Sequence, residues 1–147
     1  QLATPTHAAH TAAGADELAV DQLQLAAVFQ IVVVDAPIEM KVVIAIHDNG
    51  GNLIYLERAD GTQLGSIIVA QEKSLTALRF KRPTKVLEDT VLAGRVHMMS
   101  LPGITSVEGG LPLVVDGEVV GSIGVSGVQS SQDGQVAAAG AAVLATL

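Results

Sequence analysis

The chain predicts an α+β domain, an antiparallel sheet of roughly five strands with helices on its faces. Turn residues Asn49, Gly50, Gly51 and Asn52 separate two apolar runs, and Asp116-Gly117 separates two more, each a strong hairpin signal. Helical spacing of apolar residues fills the stretch between the hairpins and the stretch after them. Hairpins divided by helices make an antiparallel sheet, not a doubly wound parallel one. Hydrophobic residues are 49% of the chain, yet Phe29, Tyr55 and Phe80 are its only aromatics. The core is therefore Val, Ile, Leu and Ala, which suits a sheet lying under small-residue helices.

At 147 residues the chain is one domain, long enough to bury roughly two-thirds of its unfolded surface without a staple. Residues 1–15 read as a small, polar tail carrying His7 and His10, and the domain proper occupies 16–147. Residues 16–34 read as the first helix, with Asp16, Glu17 and Asp21 in the first turn, where the dipole favours acids. Pro37 ends it. Strands follow at 42–48 and 53–58, and Asp60-Gly61 breaks the second. Ser66 is placed to cap a helix over 66–80. Pro83 opens a third helix over 83–93, which Gly94 stops. Residues 95–100 read as a short strand and 102–110 as a loop. The second hairpin pairs 111–115 with 118–125. Ser130 is placed to cap the last helix, with Asp133 reaching back.

Composition narrows the function. The net charge is −7, with no basic excess and few rings, which disfavours nucleic acid. The absence of cysteine removes disulfides, thiolate nucleophiles and Cys-ligated metals. No apolar run approaches the roughly 20 residues of a membrane span. The chain opens on Gln1, which is compatible with an exported, processed protein as well as with trimming; export is the expectation. All eight Lys and Arg residues lie between Lys41 and Arg95, so an anionic guest should be met there. No hydrolase triad order, phosphate loop or metalloprotease motif is present.

Three segments together resemble one family. HDNGGNLIYLERADGT resembles the first hairpin of the GlcG/HbpS-like, haem-degrading or haem-binding proteins. SIIVAQEKSLTALRFKRPT resembles their following helix, and GGLPLVVDGEVVGSIGVSG resembles their last hairpin, the most specific match. The resemblance covers residues 16–147. His47 stands where the family usually has Val, and residues 94–107 match poorly. The resemblance implies an α/β/α sandwich assembled from dimers up to octamers. It also implies haem binding in some members, with links to iron or redox stress and, in one extracellular form, to a sensor protein. Lys73, Thr76 and Phe80 fall on its helix pattern and are the expected cofactor-binding residues.

Haem needs an apolar slot, cations for its propionates and one or two axial donors. Lys73, Arg79, Lys81, Arg82 and Lys85 form a basic cluster suited to propionates. His97, followed by Met98 and Met99, is the expected iron ligand. Arg58 and Glu108, with the exposed amides of Gly109 and Gly110, form a second binding constellation. The alternative is an enzyme or accessory subunit acting on a small organic acid. In that reading Lys73, Arg58 and the Gly109-Gly110 amides bind the carboxylate, and His47, oriented by Asp48, is the base. A simpler role for Asp48 is to cap the Asn49–Asn52 turn.

Overall fold

The computed structural model describes residues 40–144. The tail at 1–15, with His7 and His10, and the helix expected over 16–34 lie outside the described residues. Within them, four strands form one antiparallel sheet in the order β2-β1-β4-β3: β1 (Val43–Asp48), β2 (Leu53–Arg58), β3 (Gly110–Val115) and β4 (Glu118–Ser126). Both hairpins form at the expected turns. Three α-helices accompany the sheet: α1 (Gly65–Phe80), α2 (Thr84–Leu92) and α3 (Ser130–Leu144).

Side chains alternate across the strands, so the sheet has two buried faces. Ile44, Ile46, Leu113, Ile123 and Val125 pack with Val136, Ala137 and Leu144 of α3. Each such aliphatic side chain, fully buried, contributes about 1.5–3 kcal/mol. The opposite face uses small residues: Val43 and Ala45 meet Ala70 of α1. Ala45, Gly124 and Gly110 lie side by side across β1, β4 and β3. A Cβ at Gly124 would collide with the Ala70 carbonyl, and one at Gly110 with the Lys73 carbonyl. The missing side chains let α1 sit with its backbone almost on the sheet. Among the described residues the fold is thus an α/β/α sandwich with four strands, where about five are expected.

Three local expectations are corrected. Residues 95–100 are not a strand; Val96–Ser100 is a 3-10 helix. Met98 N–H donates to Arg95 O, and Ser100 Oγ donates to His97 O. No residue of that helix is buried, so no sheet face exists for a strand to cover. Ser66 is no cap: α1 starts at Gly65 after Leu64, and Ser66 is buried with its Oγ 3.3 Å from Ser126 Oγ. Pro83 lies one residue outside α2, in extended conformation.

Candidate functional site

Lys73 sits mid-helix on the face of α1 that meets the sheet, and is 2% exposed. Its Nζ donates to Asp133 Oδ2 on α3 and to Val125 O on β4, both at 3.0 Å. The side chain passes beside Gly109, whose φ of +133° and lack of a Cβ leave room for it. Asp133 Oδ1 accepts from Val128 N–H at 3.2 Å, so the carboxylate reaches back past Ser130 instead of boxing it. The expected ligand-facing ammonium is therefore an internal one. It joins the helices on either side of the sheet.

Gly109 and Gly110 are buried, and both line the hollow that Glu108 edges. Gly110 N–H donates to Thr84 Oγ1 at 2.9 Å, and Gly109 O accepts from Val125 N–H at 2.9 Å. Glu108 is half-buried against Gly134. It edges a hollow of about 350 Å³ with Lys85, Leu111, Ser131 and Gln135. Lys85 reaches Asp89 at 2.8 Å, a bond that raises its pKa. Thr76 Oγ1 accepts from Thr105 N–H at 2.9 Å and donates to Gly103 O at 3.4 Å. That hydroxyl fastens a loop and is not an exposed ligand. Phe80 is half-buried at the end of α1, and its carbonyl accepts from Arg82 Nε.

His47 and Asp48, as strand neighbours, point to opposite faces, so they form no oriented base. Asp48 Oδ1 accepts from Gly50 N–H and Asn52 N–H, both at 2.9 Å, and so builds the turn. His47 is 2% exposed and shares a 2.8 Å hydrogen bond through Nδ1 with Ser74 Oγ, itself 2.8 Å from Ser122 Oγ. Burial pushes the imidazole pKa below 6.5; the Asp48 charge opposes this and Arg79 adds to it. Both serines are fully buried, so this chain of donors reaches no substrate. Arg58 Nη1 donates to Thr62 O at 2.8 Å and orders the loop after β2. Of the residues assigned to the acid-binding enzyme, Lys73, Gly109 and Gly110 adjoin one another, whereas His47 is bonded to Ser74 and Arg58 to the Thr62 carbonyl. His97 is exposed on the 3-10 helix.

The structure gathers a different set. The Asn49–Gly51 turn, the start of β4 and the C-terminal half of α1 surround a hollow of about 570 Å³. Leu75, Leu78 and Val119 give apolar walls; Arg79, Lys81 and Glu118 complete the lining. Arg79 is half-exposed, with Nη1 3.1 Å from Gly103 O and 3.8 Å from Glu72 Oε2. Lys81 is exposed just past the helix. Of the basic cluster, these two cations share one concavity. Leu75, Leu78, Glu118 and Val119 were not singled out by sequence reasoning. Their signal was available: antiparallel pairing puts both hairpin turns at one end of the sheet, and the 75, 78, 79 spacing aims one helix face there.

Comparison with known proteins agrees with this architecture. Residues 22–142 match the family model described as haem degrading protein HbpS-like, and the chain belongs to that family. It is 47% identical over 83 residues to Protein GlcG of Escherichia coli, a match covering 56% of this chain. That match spans 62% of the length of the relative. The crystal structure of a double mutant of Streptomyces reticuli HbpS superposes with a TM-score of 0.70 at 32% identity, covering 86% of this chain and 85% of the other. A PduOC:Heme complex superposes with a TM-score of 0.70 at 27% identity, covering 84% and 91%.

Proposed function

We propose that this protein is an oligomeric haem-binding protein that serves haem or iron sensing, storage or degradation. The observation that carries the reading is family membership joined to a relative of the same fold crystallised with haem. The hollow beside α1 supports it. Its volume of about 570 Å³ falls within the roughly 300–1,000 Å³ of small-molecule sites. Leu75, Leu78 and Val119 give it one aliphatic side, and it presents Arg79 and Lys81, which suits a guest with an apolar face and two carboxylates. The opposing Glu118 carboxylate sits on the same lining and favours one orientation of such a guest. Among the described residues no three His, Asp or Glu cluster to hold a bare ion. Haem brings its own four nitrogens and asks the protein for only one or two donors. Bound, it supplies a redox-active iron. His97, the one exposed histidine among the described residues, is the axial donor this reading puts to the test, although it is not among the residues that line the hollow, and the imidazole of His47 is sealed.

Titrating the protein with haemin while following the Soret band tests this. A saturable shift is expected in the wild type. His97→Ala should move or weaken the band. Arg79→Ala with Lys81→Ala should weaken binding at least about tenfold, since a hydrogen bond to a charged group contributes roughly 1.5–3 kcal/mol. No shift in the wild type overturns the haem reading. An unaltered band in His97→Ala removes the ligand assignment, and an unaltered affinity in the double variant removes the hollow.

A further inference from the structure

We propose that Arg79 couples occupancy of this hollow to the order of the loop at residues 101–107, so that a carboxylate bound in the hollow tightens the loop onto α1. The proposal rests on the hollow being the haem site and goes beyond it by giving binding a conformational output. Among the described residues, that loop is fastened to α1 at two side chains. Thr76 holds Thr105 N–H and Gly103 O, and Arg79 Nη1 holds Gly103 O. Gly103 is built for the second contact. Its φ is +71°, which disfavours any side chain, and a Cβ there would lie 2.9 Å from Arg79 Nη1, so a larger residue would push the guanidinium away from the turn.

Arg79 also lines the hollow. One nitrogen is spent on Gly103, and the contact to Glu72 is long, at 3.8 Å. A planar guanidinium has five donors in a fixed fork, so a carboxylate can take a second edge while the first stays on the carbonyl. A ligand that fixes the plane of the fork removes rotamer freedom that the Gly103 bond otherwise has to restrain. The loop is then held more of the time, with no new contact of its own. Reciprocity follows from linkage: whatever detaches the loop from Arg79 must weaken the ligand by the same factor. Gly103 touches Arg79 but does not line the hollow, so it separates coupling from contact.

Hydrogen exchange on the full chain, with and without saturating haemin, reads the effect. In the wild type, amide exchange in residues 101–107 should slow at least threefold, while exchange in residues 59–63, beyond the far end of β2, stays unchanged. In Arg79→Lys, at haemin concentrations that saturate the variant, the loop should no longer respond; a loop that still slows as in the wild type overturns the coupling. Gly103→Ala should weaken haemin binding severalfold. A Soret shift with unchanged or faster loop exchange in the wild type overturns the coupling alone. So does a Gly103→Ala variant that binds haemin as well as the wild type or better, because the loop would then be competing for Arg79. A wild type with no Soret shift overturns the haem reading and this coupling with it.

Discussion

A neutral imidazole sealed between a helix and a sheet holds its place only while it stays neutral. His47 is such a group: burial lowers its pKa below the ordinary 6.5. The unfolded chain therefore takes up a proton at a pH where the folded one does not, and stability falls as the pH drops below about 6.5 toward the lower folded value. Above 6.5 the contribution is complete. The urea midpoint of the wild type should decline through this window, and His47→Gln should flatten the decline. Parallel profiles for the two proteins would show that His47 is not the group responsible. The strand position of His47 was legible in the sequence. Its partner was not, because Ser74 lies 27 residues away on another element. Adjacency suggested Asp48, and pleating put Asp48 on the other face.

Elements were read more faithfully where punctuation was local. Asn49-Gly50-Gly51-Asn52 and Asp116-Gly117 marked both hairpins because their backbones need conformations that glycine and asparagine adopt cheaply; Gly51 and Gly117 take φ of +82° and +79°. Residues 95–100 misled because so short a run carries little periodicity, and a strand needs a neighbour to bond. Helix α1 was legible as a helix but not for what it holds. From the sequence Lys73 reads as a cation held out to a ligand. Only the packing shows that Lys73 runs inward past Gly109 to Asp133. Lys73→Met should cost about 3–5 kcal/mol, because it leaves the Asp133 carboxylate buried without its cation. Adding Asp133→Leu should recover most of that loss in urea denaturation. The Val128 N–H bond stays lost, worth about 1 kcal/mol. A double variant no more stable than the single would mean the pair itself contributes the stability.

For the whole molecule, the sequence pointed correctly to an α/β/α architecture and to positive charge in the middle of the chain, but not to where that charge collects. Distribution over a surface is a tertiary fact: Lys73 turned inward, Lys85 paired with acids on its own helix, and Arg79 with Lys81 met at the turn end of the sheet. Lys81 follows α1 with φ +51° and ψ +43°, the left-handed corner where a helix ordinarily stops on glycine. A side chain in that corner costs about 1 kcal/mol. Lys81→Gly should accordingly raise the melting temperature while loosening the grip on haemin. The chain would become sturdier and less useful, and a gain in one without a loss in the other would show that the ammonium is idle.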